Sequence, residues 1–223
     1  MTRSSHTYKG VLFDLDGTLL DTADDLGHAL NYVLEKHGLA AVERERYLPV
    51  ASDGAKGLLE LGFSEQLAQY DYEALRKEFL CFYEDNIATH TRPYDGVIEL
   101  LKTLDDKNIN WGIVTNKPIG LTEKLLPNYT CFDSAKAVLG GDSLNTRKPH
   151  PEPLIVAANN ADIIAEQCVY VGDAPRDIQA GNAANMLSLV AAWGYIPESE
   201  ELSTWLADEI IAHPMDVLRY LSN

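Results

Sequence analysis

Short apolar runs recur along the chain: Val11-Leu12-Phe13, Trp111 to Val114, Ala137 to Leu139, Cys168 to Val171 and Met186 to Val190. Continuously apolar stretches of this length suit strands covered on both faces, as in a parallel sheet. Segments with helical periodicity lie between most of them, so the pattern predicts an open α/β sheet.

The alternation breaks between about Leu20 and Arg92, where the sequence reads as helices without a convincing strand. Thr22 stands where a cap would open a helix carrying Leu26, Leu30, Val33 and Leu34, with Gly38 as its stop signal. A second helix is expected from Asp71, with Leu75, Phe79, Phe82 and Tyr83 along one side. After the turn Arg92-Pro93-Tyr94-Asp95-Gly96, Asp95 is expected to cap a helix running through Val97, Leu100, Leu101 and Leu104. The division that follows is a core of residues 1–19 and 92–223, interrupted by a helical insertion over 20–91.

At 223 residues, 46% hydrophobic and 23% charged, the chain has the balance of a soluble globular protein. Its 18 basic and 34 acidic residues leave a net charge of −16, which argues against binding nucleic acid or an anionic membrane. Cys81, Cys131 and Cys168 form no Cys-x-x-Cys pair, so they read as buried free thiols in a reducing compartment. Met1 to Gly10 is polar, with no stretch suited to a signal peptide or a membrane span, and a cytoplasmic protein is expected. A monomer and a homodimer are equally compatible with this composition.

The first apolar run ends in Asp14-Leu15-Asp16-Gly17-Thr18, which places two acids at the carboxyl end of a buried strand, where open α/β sheets bind ligands. A magnesium ion explains their crowding, because one carboxylate oxygen can hold the metal while the other attacks phosphorus. Asp14 is then the nucleophile and Asp16 the acid and base, with Thr18 offering its hydroxyl to a phosphoryl oxygen. Thr115 ends the next run; its hydroxyl and the amides about Asn116 suit the same phosphoryl group. Lys148 precedes a proline-rich turn and could neutralise nucleophile and phosphoryl group together. The run Cys168 to Gly172 ends at Asp173, a further metal ligand, and Asp177 lies one helical turn on, placed to hold Lys148 or a water ligand.

These four ordered motifs, Asp14/Asp16, Thr115, Lys148 and Asp173/Asp177, resemble those of the haloacid-dehalogenase-like superfamily along essentially the whole chain. The insertion is similar to the helical cap of its phosphoglycolate phosphatase group, as are Thr115-Asn116-Lys117-Pro118 and Lys148-Pro149-His150-Pro151. Trp111-Gly112, Gly194-Tyr195-Ile196 and His213-Pro214 look closer to bacterial N-acetylmuramic acid 6-phosphate phosphatases. The resemblance implies a Rossmann-like parallel-sheet core with the active site beneath the cap, and a Mg2+-dependent phosphatase acting on a small phosphate ester, with metal at Asp14, Asp16 and Asp173. Asp16 separates the chain from dehalogenating relatives; a phosphosugar mutase, or a non-catalytic phosphate-binding relative, is the alternative. Ala174 departs from the serine common after the metal-binding acid. Ser52-Asp53-Gly54-Ala55-Lys56-Gly57 is similar to loops that close over substrate, so Gly54 and Lys56 are candidate substrate contacts, with Arg44 or Arg46 assisting.

Overall fold

The computed structural model describes residues 8–222; Met1 to Thr7 of the polar N-terminal stretch lie outside the described residues. In chain order the elements are β1 (Gly10–Phe13), β2 (Leu20–Asp21), α1 (Ala23–Lys36), α2 (Arg44–Tyr47), α3 (Gly54–Phe63), α4 (Tyr72–Asp85), β3 (Arg92–Pro93), α5 (Val97–Asp106), β4 (Asn110–Val114), α6 (Ile119–Leu125), β5 (Ala137–Leu139), α7 (Glu152–Asn160), β6 (Cys168–Gly172), α8 (Pro175–Ala183), β7 (Leu187–Ala191) and β8 (Glu209–Ile211).

Six parallel strands form one sheet in the order β5-β4-β1-β6-β7-β8. The chain winds outward from β1 through β4 to β5, then returns to β6 on the other side of β1, which puts the ligand crevice at the carboxyl end of β1. The apolar runs are continuous because both faces are covered. Val11 and Phe13 pack into a cluster with Val97, Leu100, Leu101 and Leu104 of α5, whereas Leu12 joins Leu154, Ala157 and Ala158 of α7 on the opposite face. Each such buried side chain contributes about 1.5–3 kcal/mol relative to exposure.

The break read at Leu20 and Arg92 coincides with a two-stranded antiparallel ribbon in which Leu20 pairs with Pro93 and Asp21 with Arg92. It is too short to register as apolar alternation, and so is β8, where only Ile211 is buried. Between the ribbon strands lie α1 to α4, whose core gathers Leu26, Leu30, Val33, Leu34, Leu58, Leu59, Phe63, Leu75, Phe79 and Tyr83. The insertion is helical, as its periodicity implies.

Local expectations fared unevenly. Asp71 caps α4, accepting the backbone N–H groups of Glu73 at 3.0 Å and Ala74 at 3.3 Å. Thr22 occupies the N-cap position of α1 but makes no capping bond, because its hydroxyl is committed to Asp16. Asp95 does not cap α5: Gly96 takes that position at φ 87°, a conformation that costs glycine little. The cysteines are free, but only Cys168 is buried; Cys81 is exposed because the Leu75, Phe79 and Tyr83 stripe turns it outward on α4. No helix among the described residues is long and apolar enough to cross a membrane.

Candidate active site

Asp14, Thr115 and Asp173 each follow immediately on β1, β4 and β6, so adjacent parallel strands deliver them to one edge. The loop after β5 brings Lys148 into the centre. Its ammonium donates to Asp14 Oδ1 at 2.7 Å, to the Val114 carbonyl at 2.8 Å and to the Tyr170 hydroxyl at 3.0 Å, and lies 2.7 Å from Asp177 Oδ1. Asn116 steadies that loop: its side-chain amide exchanges hydrogen bonds of 3.0 and 3.1 Å with the Lys148 backbone. Asp177, in the first turn of α8, accepts the Ala174 N–H at 3.1 Å, so this backbone bond orients it although residue 174 lacks a hydroxyl.

Asp173 accepts from the Thr18 hydroxyl at 3.1 Å, the Tyr195 N–H at 2.9 Å and the Ser52 hydroxyl at 2.9 Å. Gly17 lets the β1 loop pass against Asp173: it sits at φ +85°, and a Cβ there would collide with the Asp173 carboxylate. Thr18 therefore differs from its expected place. It is fully buried, its hydroxyl orients Asp173, and it is absent from the cavity wall that holds Asp14, Asp16, Thr115 and Asn116.

Oxygen atoms of Asp14, Asp173 and Asp177 lie within 4.8 Å of one another, all buried. Burial raises Asp14 to about 6, with Lys148 opposing and Asp177 reinforcing the shift. Burial, then the charges of Asp14 and Asp177, lift Asp173 to about 7. Burial disfavours the Lys148 ammonium, but Asp14 and Asp177 outweigh it and hold it above its usual value. One lysine cannot balance three carboxylates, and Arg176 only moderates the excess. An all-oxygen donor set with surplus negative charge fits a hard dication such as Mg2+.

Asp16 belongs to a separate arrangement. Its Oδ1 accepts from Lys117 Nζ at 2.8 Å and from the Thr22 hydroxyl at 2.7 Å, and the Lys117 ammonium also lies 4.5 Å from the centre of the Tyr83 ring on α4. The Asp16 charge overcomes burial and keeps the Lys117 ammonium above its usual value. Sequence reasoning assigned Lys117 no role of its own; its signals were its place two residues after Thr115 at a strand end and the resemblance of the stretch Thr115-Asn116-Lys117-Pro118. It also passed over Arg176, which holds the insertion's loop through the Ser52 carbonyl at 2.6 Å and Asp53 Oδ1 at 3.1 Å.

The cavity above these groups measures about 470 Å³ and is walled on the insertion side by Gly54, Lys56, Arg76, Phe79 and Tyr83. Lys56 is there, 74% exposed and 3.9 Å from Glu60. Arg44 and Arg46 are not part of the wall; Arg44 instead pairs with Asp24 at 2.8 Å and Asp21 at 3.6 Å. His150 is not part of the wall either; it accepts the Glu152 N–H at 3.2 Å, a local contact at the start of α7.

Comparison with known proteins agrees with this geometry. The family model for haloacid dehalogenase-like hydrolases matches residues 11–191. A phosphoglycolate phosphatase of Xanthomonas campestris is 42% identical over 92% of this chain and 93% of its own. An N-acetylmuramic acid 6-phosphate phosphatase of Pseudomonas aeruginosa is 35% identical over 96% and 94%. Among solved structures, a predicted phosphoglycolate phosphatase from Haemophilus somnus superposes with a TM-score of 0.84 at 26% identity, covering 95% of this chain and 97% of that one. With its parallel sheet, inserted helical cap and clustered acids, the chain belongs to the haloacid dehalogenase-like hydrolases and, within them, to the phosphatases.

Proposed function

We propose that this phosphatase is Mg2+-dependent and hydrolyses a small phosphate monoester through an aspartyl-phosphate on Asp14. The observation that carries this reading is the Lys148 ammonium held 2.7 Å from both Asp14 and Asp177, with Asp173 beside them and a cavity open above Asp14. Asp14 and Asp173, with the Asp16 carbonyl, would hold the metal; Asp177 is engaged by Lys148, Tyr170 and the Ala174 amide and serves to position Lys148. When bound, Mg2+ supplies charge that draws the phosphoryl group toward the acids and stabilises its transfer.

Asp14 attacks phosphorus while Lys148 and the Thr115 region face the phosphoryl oxygens. Asp16 gives a proton to the departing alcohol oxygen and later takes one from the water that cleaves the aspartyl-phosphate. Lys117 and the Thr22 hydroxyl hold the Asp16 carboxylate in place through these steps. Residues 20–91 act as the cap, and their loop at Ser52 to Lys56 excludes water once seated on Asp173 and Arg176.

The substrate is an acidic ester of the kind named for the relatives, phosphoglycolate or N-acetylmuramic acid 6-phosphate. Lys56 and Gly54 lie on the wall where the non-phosphate part would rest. A phosphate-release screen with Mg2+ over both compounds, hexose phosphates and p-nitrophenyl phosphate tests the reading. Release from at least one acidic ester, abolished by chelation, is the expected result. Activity that persists without metal would refute the mechanism, and transfer of the phosphoryl group to a sugar would identify a mutase.

A further inference from the structure

Asp25, His28 and His90 form a second group of metal-ligating side chains, and none of them lines the cavity. Asp25, on α1, is 3% exposed and its carboxylate is held in one orientation from the chain segment leading into β3. Its Oδ2 accepts the Thr91 N–H at 3.0 Å and the Thr91 hydroxyl at 2.7 Å, and the His90 N–H is shared between Oδ1 at 2.9 Å and Oδ2 at 3.1 Å. Each carboxylate oxygen can accept about two bonds, so Oδ1 retains acceptor capacity.

His28 stands three residues along α1, on the same face as Asp25. Because the His90 backbone is tied to Asp25, its ring is brought beside that of His28, with centroids 4.7 Å apart and planes at 76°. Both histidines are exposed and their rings can rotate. One ligand atom from each of the three residues lies within 4.8 Å of the other two. Ligands about 2.0–2.2 Å from a tetrahedral zinc ion stand roughly 3.4 Å apart, so rotation of the two surface rings that shortens these separations by at most about 1.4 Å completes the geometry.

We propose that Asp25, His28 and His90 bind a transition-metal dication, with Zn2+ the committed ion and an open position left for water. Two imidazoles and one carboxylate make a nitrogen-rich set that favours zinc over magnesium, in contrast to the carboxylates around Asp14. The ion would join α1, the first helix of the insertion, to the segment by which the chain leaves it. This site is independent of the catalytic reading above.

The test compares zinc titrations, by isothermal calorimetry in Mg2+-saturated buffer, of the full chain and its His28→Ala and His90→Ala variants. Any zinc taken up around Asp14 appears equally in all three proteins, so the difference isolates the second site. The full chain should bind one zinc more than either variant, or bind it at least about tenfold more tightly. At free zinc a hundredfold above the dissociation constant, Tm should rise by about 5 °C or more in the full chain than in the variants. Identical stoichiometry, affinity and Tm shifts in all three would overturn the proposal and leave Asp25 as an anchor for the His90–Thr91 turn. Both histidines are on the surface, so the variants should retain the fold.

Discussion

On the sheet side of the cavity, Asp14, Lys148, Asp173 and Asp177 are each at most 3% exposed; Lys148, Asp173 and Asp177 are each held by two or more partners, and Asp14 is paired with Lys148. On the insertion side, Lys56 is 74% exposed and its one ion pair, with Glu60, spans 3.9 Å. Burial makes electrostatic interactions strong and positions exact to a fraction of an ångström, which chemistry on phosphorus requires. Exposure leaves a long side chain free to meet substrates of different shape, at little cost to stability. Polar contacts join the two sides at several places, among them Ser52 with Asp173, Arg176 with Asp53 and the Ser52 carbonyl, Thr22 with Asp16, the Tyr195 hydroxyl with Asp21, and Lys124 with Glu84.

The largest expected effect is on the buried side. Asp14→Asn keeps the side-chain shape but removes the proposed nucleophile, and should lower phosphate release by about 10⁴-fold or more while circular dichroism stays unchanged. Residual turnover near that of the parent would break the assignment. Lys148→Met leaves Asp14 and Asp177 buried without their cation and should cost about 3–5 kcal/mol in denaturant unfolding, besides most of the activity. A loss below about 1 kcal/mol would mean that the acids are balanced by some other group.

A third expectation concerns pH. Asp14 and Asp173 are raised from 3.8 to about 6 and about 7, so without metal the native state binds more protons than the unfolded chain. The stability they contribute is complete below their unfolded values and is lost as pH rises through the folded ones. Chelated protein should therefore melt progressively lower between about pH 4 and pH 7, and Mg2+ should restore Tm most at the upper end. A flat Tm profile in chelator would show the acids already neutralised. The smallest effect belongs to the exposed wall: Lys56→Ala should raise the Michaelis constant for an acidic ester by about two- to fivefold and leave kcat and p-nitrophenyl phosphate hydrolysis unchanged. An unchanged constant for every acidic ester would remove Lys56 from recognition.

Much of this was legible in the sequence because it rests on local pattern. Continuous apolar runs mark strands buried on both faces, and the residue after each run must emerge at the sheet's edge. Val11 to Phe13 thus implied the placement of Asp14, and Cys168 to Gly172 that of Asp173. The helical period located α1 and α4, and Asp71 capped where its side chain had no competing partner. Thr22 failed as a cap for the opposite reason: Asp16, brought near by the fold, takes its hydroxyl.

What the tertiary structure alone decided are the pairings across long separations. Lys117 to Asp16 spans 101 residues, Ser52 to Asp173 spans 121, and Thr18 to Asp173 spans 155. A hydroxyl or ammonium carries no mark of its eventual partner, since its choice follows from which loops the sheet order brings together. Local hydrophobic periodicity therefore determined by itself where the chain forms strands and helices and which acids stand at their ends. The winding of those strands about β1 decided which of the remaining polar groups meet those acids, because hydrogen bonds and ion pairs form only between groups that packing has already placed within about 3 Å.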